Sequence, residues 1–214
     1  MLIHKDALVL ATFFQPLLEP FCEPGFCRLA GGVRRGKAWV HDLELVVQPL
    51  PQRPPLQFGV KPKDAPRTLL DVKLKELEKQ EYVFFQSGDQ KNKKFWINLE
   101  TFNLPADKEF TLDLWITTPP AQYGVNLVLR TGPNTDNNQF SKWVVTPRAK
   151  GGALPDGYRV KHAAVWRVHQ MRDDGIPYEG ESPLAMPSED DFLDFLGVTA
   201  EPAERRADWG RWTR

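Results

Sequence analysis

The sequence predicts an α+β fold, with a mixed β-sheet followed by a smaller α+β C-terminal lobe. Three observations predict it. Phe13, Phe14, Leu17 and Leu18 recur at helical spacing near the N-terminus. Short alternating runs rich in β-formers, such as Asp42 to Val47, fill the middle of the chain. The chain has 214 residues, 41% hydrophobic and 26% charged, which is enough for a sizeable core without disulfide staples.

Taken in order, residues 4 to about 20 fit an amphipathic helix ending at Pro20. A turn at Pro24-Gly25 precedes a short strand, Phe26 to Leu29, that runs into Gly31-Gly32. Asp42 to Val47 is a second strand. The prolines between residues 49 and 66 predict an irregular loop. A charged helix over 67–80 follows, then strands at Tyr82 to Gln86 and Lys94 to Leu99 joined by a polar turn, Ser87 to Asn92. Phe110 to Thr117 is another strand. Gln122 to Arg130 reads as a helix stopped by Gly132, and 138–150 as a second helix that Pro147 bends or ends early. Short strands and turns lead to a last helix from about Ser188 to Leu196, with acids at its N-terminal end as the helix dipole favours. The expected division is 1–120 and 121–214.

Composition narrows the function classes. No apolar run approaches the roughly 20 residues of a membrane span, and Met1 to Ala7 lacks a secretory pattern. A cytoplasmic, monomeric protein is therefore expected. Cys22 and Cys27 read as thiols in a reducing compartment, with a local disulfide as the alternative; without a nearby histidine pair they make no zinc site. Net charge is zero, but its distribution is not even. Lys142 to Arg172 carries seven basic residues against one acid, whereas Asp173 to Glu204 carries ten acids and no Lys or Arg. Such sorting suits a basic face turned to a polyanion, or equally two separate solvated surfaces.

The chemistry concentrates in Leu29 to Val47. Gly31 and Gly32 let backbone come close to a ligand, and amides beyond them can cradle phosphate oxygens. Arg34, Arg35 and Lys37 can neutralise the same phosphates. Asp42 and Glu44 leave the same face of a strand, roughly 6.5 to 7 Å apart at Cα. That spacing suits carboxylates converging on two metal ions about 3.5 to 4 Å apart. Asp113, flanked by Leu112 and Leu114, is an acid inside an apolar strand, where it needs a cation, a partner or solvent. Trp115, Trp143 and Trp166 read as packing residues, and His162 and His169 as surface residues.

Gly-Gly-Val-Arg-Arg-Gly-Lys followed by Asp-Leu-Glu resembles the Gly-Ser-x-Arg-Arg-Gly-Lys and Gly-Asp-x-Asp signature of family X DNA polymerases, within the polymerase β-like nucleotidyltransferases. Leu112-Asp113-Leu114 looks like that family's third-carboxylate strand. Tyr123-Gly124-Val125 and Thr131-Gly132 resemble its palm–thumb junction, and Phe192 to Arg206 its C-terminal close. The resemblance implies a catalytic palm over 1–120 and a thumb-like lobe over 121–214. It implies that Asp42, Glu44 and Asp113 hold Mg²⁺, with Mn²⁺ as the alternative, and that Asp113 assists deprotonation of a primer 3′-hydroxyl. Gly31, Gly32, Arg35, His41, Gly132 and Ser141 would meet the nucleoside triphosphate (a dNTP), and Lys142, Arg148 and Lys150 the DNA, with further grip from Lys91, Lys93 and Lys94.

Three positions depart from the signature: Gly32 replaces its serine, His41 its glycine and Glu44 its second aspartate. The stretch ahead of Phe26 is too short for the family's lyase and helix-hairpin-helix modules, so deoxyribose-phosphate lyase activity is not expected. By analogy, a polymerase this compact suits a virus or mobile element. The expected activity is template-directed addition of deoxynucleotides to gapped or primed DNA. The rivals are nucleotide transfer to a non-DNA acceptor, and a DNA or nucleotide clamp of the same fold that has weakened catalysis.

Overall fold

The apolar spacing at the N-terminus folds as helix α1 (His4–Leu18), preceded by the short strand β1 (Leu2–Ile3). Its buried stripe is Ala7, Leu10, Ala11, Phe14 and Leu18, the recurrence of a helix with one face inward. A computed structural model describes residues 1–53, 66–105, 107–133 and 137–199. Most of the expected proline-rich loop and the chain beyond Thr199, including the Pro202 to Arg206 part of the family resemblance, lie outside the described residues.

Strand β2 (Cys22–Leu29) follows, then a single helical turn α2 (Gly31–Arg34), the short strand β3 (Trp39–Val40) and strand β4 (Asp42–Pro49). The expected turn at Pro24-Gly25 is instead an irregularity inside β2. Its pairing to β4 shifts register between Cys22 and Cys27, and Gly25 takes φ +83°. A β-bulge lets an unpaired proline and a left-handed glycine sit within a continuous strand. Cys22 and Cys27 are both free and buried.

Helix α3 (Leu69–Lys79) opens on a capping box, Thr68 with Asp71. The hairpin β5 (Val83–Gly88) and β6 (Asn92–Ile97) turns on Asp89, whose carboxylate accepts the amides of Lys91 and Asn92. Gly88 is required there: at φ +127° an added Cβ would lie 2.2 Å from the Asn92 carbonyl oxygen. Strand β7 (Thr111–Ile116) completes a five-stranded sheet of order β2-β4-β7-β6-β5. Within this sheet, among the described residues, only β4 and β7 pair in parallel. Parallel neighbours need a long crossover, and here that connection contains α3 and the β5–β6 hairpin.

The apolar face of the sheet carries Leu43, Leu45, Val47, Leu112, Leu114 and Phe95, all buried. Helix α1 packs on β2 and β4, and α3 on β5. The chain up to Leu29 and from Ala38 to Ile116 forms one compact unit.

Residues 30–37 and the chain from Thr117 form the second unit. It contains α4 (Tyr123–Thr131), α5 (Asn137–Val145), the hairpin β8 (Tyr158–Lys161) and β9 (Ala164–Arg167), and α6 (Glu189–Leu196). The helix expected over 138–150 ends at Val145. Pro147 cannot donate to a continuing ladder, and Arg148–Lys150 forms a separate 3-10 turn. Val125, Val128, Phe140, Val144, Phe192 and Leu196 make up much of the core. Ser188 caps α6 in a capping box with Asp191, and Gly197 ends the helix in the left-handed conformation. None of the described helices is long and apolar enough to cross a membrane.

Candidate functional site

In the first unit the informative surface is the polar face of the sheet. Alternation along β4 buries Leu43 and Leu45 on one side and leaves Asp42 and Glu44 half-buried on the other. In the parallel ladder Glu44 lies directly opposite Asp113, and Asp42 opposite Thr111. Neighbouring strands are about 4.8 Å apart, so Glu44 and Asp113 are adjacent positions on one face. His41, immediately before β4, is exposed.

Asp113 is 7% exposed. Its Oδ2 lies 3.2 Å from the Lys94 ammonium. Lys94 is the register partner of Asp113 on β6, the strand flanking β7 on the side away from β4. The other carboxylate oxygen of Asp113, Oδ1, is buried and makes no hydrogen bond among the described residues. The parallel register thus brings Glu44 and Asp113 side by side, while Lys94 engages Asp113 from the other side. Among the described residues no group of three or more His, Cys, Asp or Glu side chains is gathered to hold a metal ion.

The donor chemistry nonetheless fits a hard divalent cation. Three carboxylates share one face of adjacent strands, and such ions take oxygen ligands. The Oδ1 atom of Asp113 is a buried acceptor of the kind that a cation satisfies.

Lys93 points to the opposite face from Lys94 and pairs with the buried Asp71 of α3. Burial alone would push the Asp71 carboxyl up. The Lys93 ammonium and the amides of Arg67 and Thr68 outweigh it and hold the group below the usual aspartate range. Adjacent lysines on β6 therefore each meet a buried acid, one on each side of the sheet.

In the second unit, Gly31 and Gly32 are buried at the start of α2, and Gly31 takes φ +62°. Arg35, expected at the phosphates, donates to the backbone carbonyls of Thr131 (2.5 Å) and Arg130 (3.4 Å). A guanidinium on the last carbonyls of α4 complements the negative end of that helix. This contact brings α2 beside the Thr131-Gly132 turn, so Gly31, Gly32, Arg35 and Gly132 are gathered in one region. Arg34 donates to Thr131 Oγ1 at 3.1 Å and forms an ion pair with Glu189 at 2.5 Å.

Ser141 is half-buried on α5, and Lys142 beside it is exposed. Arg148 donates to the carbonyls of Leu196 at 2.7 Å and Ala153 at 3.3 Å, and both Arg148 and Lys150 are exposed. Sequence reasoning named Lys93 and Lys94 only as grips for DNA and Arg34 only as a phosphate cation; it did not pair them with Asp71, Asp113 and Glu189. Asp113 in an apolar strand signals the need for a cation, but only the β6–β7 register names Lys94 as its source. No family model matches the chain, and no curated protein matches it.

Proposed function

We propose that the chain is a nucleotidyltransferase of the polymerase β-like class. The particular activity proposed is that of a compact family X DNA polymerase adding a deoxynucleotide to a primer 3′-hydroxyl. The observation that carries the reading is the parallel register that sets Glu44 beside Asp113, with Asp42 on the same face. An ordinary solvated strand face does not bury an acid with one oxygen lacking a hydrogen-bond partner.

On this reading Asp42, Glu44 and Asp113 hold Mg²⁺ or Mn²⁺. Bound there, such ions neutralise triphosphate charge and lower the pKa of the attacking hydroxyl. Asp113 is the candidate acceptor of the hydroxyl proton. In the second unit, Gly31, Gly32 and the Thr131-Gly132 turn provide backbone close to one another for a nucleotide, and Arg35, which donates to that turn, would meet the phosphates. Lys142, Arg148 and Lys150 are on the proposed nucleic-acid side, and Ser141 and His41 on the nucleotide side. DNA affinity resting on such lysines falls steeply with salt.

A second reading, a DNA or nucleotide clamp without catalysis, draws on the commitment of Arg35 and Arg148 to backbone carbonyls. Extension of a labelled primer on one-nucleotide-gapped and open templates decides between them. It is run with each dNTP and Mg²⁺ or Mn²⁺, alongside Asp42→Ala and Asp113→Ala. Template-matched extension lost in either variant supports the polymerase reading. Untemplated addition moves the assignment to a transferase with another acceptor. Binding of nucleotide or DNA without extension leaves the clamp.

A further inference from the structure

Building on the proposed metal role of Asp42, Glu44 and Asp113, we infer that Lys94 is a positioning residue for that site. Its ammonium shares Asp113 with any divalent ion the carboxylates bind, and sets how tightly that ion is held. The argument starts from a row of side chains across the sheet. Glu44, Asp113 and Lys94 are successive register partners on β4, β7 and β6. The acid in the middle has a cation on one flank and a second acid on the other.

Burial makes this arrangement consequential. The Asp113 side chain is nine-tenths buried, and Lys94 engages only Oδ2, leaving Oδ1 without a hydrogen bond among the described residues. The carboxylate therefore keeps one oxygen to offer a second cation. The Lys94 side chain is one-third exposed, so its ammonium has water to move into when it yields Asp113. Lys93, the preceding residue, is held on the opposite face by Asp71 and so keeps β6 in the register that presents Lys94.

Removing the Lys94 charge therefore strengthens divalent binding. A single positive charge roughly 5 Å from a divalent ion, in the high dielectric of a solvent-edge site, changes affinity by on the order of tenfold. A purely structural role predicts the reverse, because disturbing β6 would loosen the site.

The test is Mn²⁺ titration of the full chain without nucleotide or DNA, following free Mn²⁺ by its paramagnetic resonance signal. Lys94→Gln keeps a hydrogen-bond donor without the charge, Lys94→Met removes both, and Lys94→Arg keeps the charge. The expected result is a Kd lower by on the order of tenfold in the Gln and Met variants, with Lys94→Arg within about twofold of the unaltered chain. Added Mn²⁺ should also raise the melting temperature of Lys94→Gln more than that of the unaltered chain. Equal or weaker Mn²⁺ binding in both uncharged variants, with binding abolished by Asp113→Asn, overturns the role of Lys94 and leaves the metal reading standing. Absence of millimolar Mn²⁺ binding in the unaltered chain and every variant overturns both.

Discussion

Replacing Asp71 by alanine should cost the first unit about 3 kcal/mol, and the structure shows where that figure comes from. Asp71 accepts the amides of Arg67 (2.9 Å) and Thr68 (3.0 Å), and its own amide donates to Thr68 Oγ1 at 3.1 Å. Losing the carboxylate removes its half of the capping box, worth about 1 kcal/mol. It also leaves the Lys93 ammonium without its partner. Breaking a fully buried pair costs about 3–5 kcal/mol. Lys93 is 23% exposed and can partly rehydrate, so about 2 kcal/mol is the appropriate share.

The assay is urea unfolding followed by tryptophan fluorescence. At a slope of about 2–3 kcal/mol/M, the midpoint should fall by about 1–1.5 M. The pH dependence supplies the sharper check. The folded-state pKa of Asp71 is lowered from the ordinary 3.8, so its contribution is fully present above that value. It is lost as pH falls through the lowered folded value. The gap between the unaltered chain and Asp71→Asn should therefore narrow only below the ordinary aspartate range. A midpoint shift under about 0.3 M for Asp71→Ala, or a gap that stays constant under acid conditions while the chain is still folded, would refute the reasoning.

Arg34→Ala should destabilise the second unit by about 2 kcal/mol, since it removes the Arg34 ion pair from Glu189, which is 11% exposed on its side chain; Glu189→Gln should cost less, and chemical denaturation reads both. Gly124→Ala should cost more than about 3 kcal/mol, because its Cβ would lie 1.8 Å from the Ser188 carbonyl oxygen; a melting temperature within about 2 °C of the unaltered protein would contradict that packing. The Cys27 thiol is pushed well above its ordinary range by its hydrogen bond with Cys22 and then by burial. At pH 8 it should react with Ellman's reagent only as fast as the chain opens, and become fully reactive in guanidinium.

Much of the secondary structure was legible because local signals agreed. Leu43, Leu45 and Val47 alternate cleanly, and Thr68 with Asp71 announces its helix before any packing is known. The continuity of β2 was not legible, since Pro24-Gly25 carries a strong turn signal that pairing with β4 overrides. At the candidate site, the shared face of Asp42 and Glu44 follows from strand periodicity alone. The engagement of Asp113 by Lys94 depends on which strands are neighbours, a long-range fact with no local mark. Arg35 shows the same limit: a basic turn after two glycines reads alike whether its guanidinium meets phosphates or the end of a helix.

The excursion of residues 30–37 into the second unit gives the chain three crossings between its units, after Leu29, after Lys37 and after Ile116. Neither unit is a continuous stretch of sequence. During synthesis the first unit cannot close its sheet until β7 has emerged, by which time the Arg34 segment has long been waiting for α4 and α6. A fragment beginning at Thr117 would lack that segment and leave Glu189 and the carbonyls of Thr131 without their arginines. Such a fragment should therefore express as an incomplete body that recovers its fold when a peptide of residues 30–37 is supplied. Here the order of the chain and the boundaries of the folded bodies do not coincide.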